Sequence, residues 1–356
     1  MKKLTFISLL VIAFTGIIYF ASQMIERAQG TSGSDVFHLY NWGDYIDPDL
    51  LTQFEEETGY RVVYETFDSN EAMYTKVDQG GTSYDLTIPS EYMIERMIDE
   101  DLIVPLDHSR IEGLNHINDD FLDLSFDPGN QYSIPYFWGT LGIAYNEDLI
   151  SNLELSSWES LFDPALENSI LMIDGAREVI GIGLQSNGYS LNSKNEKELE
   201  EAANTLVDLA PNIKALVADE IKMYMIQEEA AVAVTYSGEA ADMMWENESI
   251  VYVLPAEGSN LWFDNMVIPR TVQNEDAAYA FINFMLDPEV AAQNADYVGY
   301  STPNESAMSY LPEETIEDEQ FYPSQEMINQ LEVYEDLGPE YTGIYNEMFL
   351  EFKMIK

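Results

Sequence analysis

The sequence predicts an α/β protein of two lobes, each a mixed, mostly parallel sheet flanked by helices, the lobes joined by extended hinge crossovers. Three observations carry this reading. From Val36 onward, short apolar strands alternate with amphipathic helices, the pattern of a sheet covered on both faces. The stretch Ser133-Ile-Pro-Tyr-Phe-Trp-Gly-Thr-Leu-Gly-Ile-Ala-Tyr145 is extended and glycine-spaced, suiting a strand that leaves one lobe for the other. The stretch Asn260-Leu-Trp-Phe-Asp-Asn-Met-Val-Ile-Pro269 is short, apolar and closed by proline, and reads as the strand that returns. A chain of 356 residues, 46% hydrophobic, has material for two cores.

Taken in order, Met1-Lys2-Lys3 and the apolar run over residues 4–21 form an export leader, with residues 1–30 as a cleaved signal or a retained membrane anchor. Either fate puts the body outside the cytoplasm. Residues 36–40 read as a strand, 49–58 as a helix stopped by Gly59, and 61–67 as a strand. Asp68-Ser-Asn-Glu71 looks like a capping box opening a helix that ends at Gly80-Gly81. Residues 84–88 form a strand and Ser90 starts the next helix. Beyond the first crossover, Ser156-Ser-Trp-Glu159 reads as a second capping box. Strands follow at 169–173, 230–235 and 250–254, with helices at 195–209, 275–285 and 288–295. The tail over residues 324–352 is predicted helical.

Composition excludes much. With 15 basic and 65 acidic residues the formal charge is −50, so nucleic acid and anionic membrane surfaces are repelled. There is no cysteine, hence no disulfide, thiolate metal site, cysteine nucleophile or cysteine-linked lipid. Three histidines (His38, His108 and His116) leave little for imidazole catalysis or zinc. No catalytic set, metal site or cofactor is expected. The bulk charge suits a saline exterior; it acts only over a Debye length of about 8–10 Å and selects no partner.

Ligands of open α/β sheets bind beyond the carboxyl ends of strands, and polar and aromatic groups gather there. Asn41-Trp42-Gly43-Asp44-Tyr45 follows the first strand, Ser90 and Tyr92 the third, and Asp174-Gly-Ala-Arg-Glu178 and Tyr236 follow strands of the second run. On the returning strand Trp262 and Asp264 share a face. Tyr300 lies in a loop. Each residue also has a plainer role: Ser90 as an N-cap, Tyr92 and Tyr236 as packing, Arg177 and Glu178 paired with each other or with solvent, Asp44 as a turn cap, Asp264 as a cap or salt-bridge partner on a core strand. Helix N-termini favour anions, yet these loops carry several acids against Arg177 alone. Unpaired buried acids are costly, so the ligand expected is a cation with several ammonium groups. Ring faces attract such a group by roughly 0.5–2 kcal/mol.

Tyr40-Asn-Trp-Gly-Asp-Tyr-Ile-Asp-Pro48, Thr66-Phe-Asp-Ser-Asn-Glu-Ala-Met-Tyr74, Tyr84-Asp-Leu-Thr-Ile-Pro-Ser90, Asp127-Pro-Gly-Asn-Gln-Tyr-Ser-Ile-Pro-Tyr-Phe-Trp-Gly139, Asp174-Gly-Ala-Arg-Glu178, Leu261-Trp-Phe-Asp264 and Gly299-Tyr-Ser-Thr-Pro-Asn304 resemble the spermidine/putrescine-binding proteins of polyamine ABC transporters. The resemblance runs from about Val36 to the end. It implies a type II periplasmic-binding-protein fold that closes on its ligand and docks on a membrane permease, served by an ATPase, as a monomer. The lobes expected are 36–140 plus 264–308, and 141–263 plus 309–356. The ligand shell it implies is Trp42, Asp44, Tyr45, Ser90, Tyr92, Glu178, Tyr236, Trp262, Asp264, Tyr300 and Tyr334, with acids taking amino groups and rings holding the methylene chain. Two departures bear on diamine against triamine preference: Gly175 stands where some relatives have a second acid, and Tyr236 where some have tryptophan. The alternatives are the same clamshell holding another amine, an amino acid or a ferric ion, and, distantly, a glycosidase with paired carboxylates.

Overall fold

The structure, a computed structural model, describes residues 35–150, 153–218 and 220–355. The leader expected over residues 1–30 lies outside the described residues. Among these, nine strands form a connected sheet: β1 (Val36–Trp42), β2 (Arg61–Phe67), β3 (Leu86–Thr87), β4 (Ser133–Asn146), β5 (Ile170–Ile173), β6 (Ile213–Val217), β7 (Val232–Tyr236), β8 (Ile250–Val253) and β9 (Leu261–Val267). Their order is β2-β1-β3-β9-β4-β7-β5-β6, with β8 also on β4.

The body of each lobe is parallel, β1 with β2 and β3, and β5 with β6 and β7. Every pairing of β4 and β9 is antiparallel, so the sheet is mixed in equal measure and less parallel than the sequence suggests. The reason is directional: β4 runs out of the first lobe and β9 runs back. Residues Ser133–Thr140 of β4 pair with β9, and Leu141–Tyr145 pair with β7. The hydrophobic cores part at the same place. Phe37, Leu39, Ile134, Phe137, Phe263 and Phe281 belong to one core, and Leu141, Ile143, Trp158, Ile180, Val234 and Phe352 to another. Each such side chain contributes about 1.5–3 kcal/mol on burial, so the two halves hold themselves together separately. The glycines of β4 serve close approach. A Cβ at Gly139 would strike the Trp262 ring, and one at Gly142 the Tyr252 ring.

Local signals held better for ends than for caps. The helix Pro48–Thr58 opens on Asp47, which accepts from the Asp49 N–H, with Pro48 in its first turn; Gly59 closes it at φ 76°. The capping box placed at Asp68 is one residue off: Ser69 is the cap, accepting from the Ala72 N–H at 3.2 Å. The box at Ser156 is likewise displaced, since Ser157 caps a short 3-10 turn, Trp158–Phe162. The tail is not one helix. Only Gln325–Ile328 and Gly338–Ile355 are helical, and between them Glu332 bridges to Asn260 beside β9. Residues 329–337 are not helical, and the last helix starts afresh at Gly338, φ 74°. The helices Ala176–Ser186 and Ser237–Glu246 were not anticipated. In the first, Gly181 and Gly183 depress helix propensity, and Gly183 is required because a Cβ there would meet the Ala202 carbonyl of the helix Glu196–Leu209.

Candidate functional site

The alternation of β9 organises the site. Phe263 points into the first core against Phe121, ring centroids 5.5 Å apart, so Trp262 and Asp264 face the other way. Asp264 is 4% exposed, and both oxygens are engaged. Tyr45 Oη donates to Oδ2 at 2.5 Å, and Ser90 Oγ donates to Oδ1 at 2.6 Å. Burial pushes the Asp264 carboxyl up to about 6, against the pull of those two hydrogen bonds. Ser90 does stand at the N-cap position of the helix Glu91–Asp99, but its hydroxyl makes no capping bond. It serves Asp264 instead, while Asn70 Nδ2 donates to Ser90 Oγ at 3.0 Å and to Tyr92 Oη at 3.1 Å.

Rings extend from this carboxylate in a connected series. Tyr300 meets Trp262 edge-on at 5.0 Å and 88°, and meets Tyr45 at 5.5 Å. Tyr236 also meets Trp262 edge-on, at 6.0 Å. Trp42 lies 6.5 Å from Tyr45 and is fixed by its Nε1 donating to the Ile88 carbonyl at 2.9 Å. The Trp262 Nε1 is buried and has no hydrogen-bond partner. Gly238 is demanded here, since a Cβ would run into the Tyr300 ring. Burial raises the hydroxyls of Tyr45, Tyr92, Tyr236, Tyr300 and Tyr334 well above the usual range, so all five are neutral donors at physiological pH.

Across from these, Glu178 occupies the first turn of the helix Ala176–Ser186, half-buried. Tyr236 Oη donates to its Oε1 at 2.8 Å, and its Oε2 occupies the space a side chain at Gly175 would take. Burial raises the Glu178 carboxyl. The mutual pair between Arg177 and Glu178 does not form. Arg177 donates to Asn192 Oδ1 at 2.7 Å and to the Glu335 carbonyl at 3.0 Å, with its guanidinium 4.2 Å from the Tyr334 ring centre. Tyr334 also approaches Tyr92 edge-on at 6.3 Å, and its hydroxyl is buried without a partner. Asp174 turns away to Lys353, at 2.6 and 2.9 Å.

Ten of the eleven residues singled out from the sequence therefore join one contact series. Asp44 stands apart, exposed, with left-handed backbone at φ 49°. Asp47, not Asp44, caps the helix that follows the turn. Sequence reasoning missed Asn70, which ties Ser90 to Tyr92, and Glu91, enclosed beneath β9. A buried asparagine in a helical first turn has no sequence signature, and Glu91 reads as an ordinary first-turn acid.

Residues 49–323 match the family described as bacterial extracellular solute-binding protein. The spermidine/putrescine-binding periplasmic protein of Salmonella typhimurium is 36% identical over 327 residues, covering 92% of this chain and 94% of that one. That of Escherichia coli is 37% identical over 321 residues, covering 90% and 92%. Among solved structures, a putative spermidine/putrescine ABC transporter protein from Listeria monocytogenes superposes with a TM-score of 0.87 at 56% identity, over 90% of this chain and all of that one. The spermidine/putrescine ABC transporter substrate-binding protein of Streptococcus pneumoniae gives 0.82 at 62%, over 90% and 99%. With that sequence match and that shared two-lobed architecture, the chain belongs to the bacterial extracellular solute-binding proteins.

Proposed function

We propose that the protein is the extracytoplasmic receptor of a polyamine ABC transporter, capturing spermidine, putrescine or both between its lobes and passing them to a membrane permease powered by an ATPase. The observation that carries this is Asp264: a carboxylate on the central strand, among the Trp262, Tyr45 and Tyr300 rings, with no Lys or Arg paired to it among the described residues. Such a group is expensive alone and is relieved by an ammonium ion. Glu178 offers a second carboxyl, also raised by burial, across the ring series. Between them the rings bury the methylenes, each worth about 0.8 kcal/mol. In this reading Trp42, Tyr45, Ser90, Tyr92, Glu178, Tyr236, Trp262, Asp264, Tyr300 and Tyr334 form the ligand shell, with Asp44 an exposed, outlying charge, and the protein is a monomeric carrier rather than an enzyme. The names of the relatives support the choice of polyamine.

The lobes would be 36–140 plus 264–308, and 141–263 plus 309–356, which the parting of the cores near residue 140 supports. Leu261, Trp262, Phe263 and Leu311 belong to the first core and Ile316, Tyr322 and Val333 pack on it, so β9 sides with the first lobe from its first residue, and the segment after 308 lies across both lobes before its final helix joins the second. Titration calorimetry with spermidine and putrescine tests the reading. Micromolar binding, about −8 kcal/mol, is expected for at least one of them. Asp264→Asn should weaken it at least tenfold, since a buried ion pair is lost; unchanged affinity in the variant would sink the assignment.

A further inference from the structure

A second acid in this region is enclosed more completely than Asp264. Glu91 is 0% exposed and is the first residue of the helix Glu91–Asp99. Its position follows from the way β3 ends. Past Thr87 the chain stays beside β9 long enough for the Pro89 carbonyl to accept from the Asn265 N–H at 3.0 Å, and then turns into the helix. The next amide on that edge of β9, Phe263, has no strand carbonyl to meet. Glu91 Oε2 substitutes for one, accepting from the Phe263 N–H at 2.9 Å. The residues on either side of Phe263 are Trp262 and Asp264, so this one bond ties down the backbone that aims both at the ligand.

The other carboxyl oxygen, Oε1, is buried and makes no hydrogen bond. The charged and titratable groups that act on Glu91 are Asp264 from β9, Arg177 from the helix Ala176–Ser186, and Tyr334 from the segment crossing beside β9. None pairs with it. Asp264 is taken by Tyr45 and Ser90, and Arg177 by Asn192 and Glu335. Burial is the dominant effect and pushes the carboxyl up to about 8, with the amides of Phe263 and of Glu91 itself opposing and the Asp264 charge adding to it.

We propose that Glu91 is a proton-linked positioning residue of the ligand site: it holds β9 through Phe263, and it gives up its carboxyl proton to solvent when a cation settles against Asp264. This rests on the cation-binding function proposed above. The physical step is simple. With the site empty, ionising Glu91 places a second negative charge near Asp264 in a poorly solvated region; an ammonium ion on Asp264 cancels that repulsion and favours the carboxylate. By linkage, a site that releases protons on binding gains affinity as pH rises.

Calorimetry of the wild-type protein with putrescine at pH 7.5, in two buffers of different ionisation enthalpy, reads the protons released. At that pH Asp264 is already mostly ionised, and alkyl ammonium groups, like that of lysine at about 10.4, stay protonated. A fraction of a proton per putrescine is expected from the wild type, with affinity rising about threefold from pH 7 to 8.5. In Glu91→Gln, which keeps a carbonyl for the Phe263 amide, the release and the rise should vanish while binding persists. In Glu91→Leu, which removes the acceptor, affinity should fall several-fold further than in the glutamine variant. Zero release by a wild type that binds, or equal release by Glu91→Gln, overturns the assignment of Glu91 and leaves the polyamine reading intact. A wild type that binds no polyamine overturns both.

Discussion

The two carboxylates that face each other across the rings are built differently. Asp264 sits in the middle of β9, hydrogen-bonded along β4, with both oxygens filled by Tyr45 and Ser90. Glu178 sits on a helix terminus, accepts from Tyr236 on one oxygen and rests the other over a glycine. A strand interior offers one geometry to a short side chain. A helical first turn gives a longer side chain several rotamers, and Gly175 leaves them open. The difference teaches that, in the proposed site, Asp264 is the fixed anchor and Glu178 the adjustable clasp, the end where changes of residue are expected to retune the ligand.

This contrast can be broken by measurement. Asp264→Asn should carry the largest loss, at least tenfold in polyamine affinity, and should leave the ligand-free protein no less stable. The sign follows from its raised pKa of about 6. A carboxyl held above its unfolded value near 3.8 stabilises the fold in its protonated form, a contribution complete below pH 3.8 and lost as pH rises through 6. Removing the charge therefore relieves a cost of roughly 1–3 kcal/mol at pH 7. Thermal unfolding without ligand reads this directly, and a strong destabilisation would mean that Asp264 is structural.

Acid should act nearly as strongly. Each pH unit below 6 should cost about tenfold in affinity as Asp264 protonates, and a profile flat down to pH 5 would show that this carboxylate meets no cation. Glu178→Gln should cost less than Asp264→Asn, about fivefold, because Tyr236 and the rings remain. A larger loss than at Asp264 would invert the anchor and the clasp. Gly175→Ala should cost about threefold by displacing the Glu178 carboxylate rather than deleting it; affinity for putrescine and spermidine should change unequally, which competition binding would detect. Asp44→Asn is expected to change affinity less than twofold, as befits an exposed charge.

Much of this was legible in advance. The strand period of residues 260–269 put Trp262 and Asp264 on one face, and the structure keeps them there. The helix stops at Gly59 and Gly80 were readable because each needs positive φ. Caps were less legible, since several serines and aspartates stand side by side and the winning one depends on where the helix first packs. The helix Ala176–Ser186 was hidden by glycines whose purpose, contact with a neighbouring helix, is not local. Asn70 was invisible for the same reason: its partners, Ser90 and Tyr92, are about twenty residues away.

Composition, strand and helix periods, and strand-end motifs are short-range properties, and they determined the α/β class, the two crossovers, the acidic surface and the kind of ligand the loops favour. Which oxygen meets which hydroxyl, why Arg177 ignores Glu178, and how Glu91 comes to stand in for a missing strand depended on segments far apart in the chain. Those outcomes were decided only when β4 and β9 brought the lobes together, because burial and hydrogen-bond geometry are set by what arrives from elsewhere.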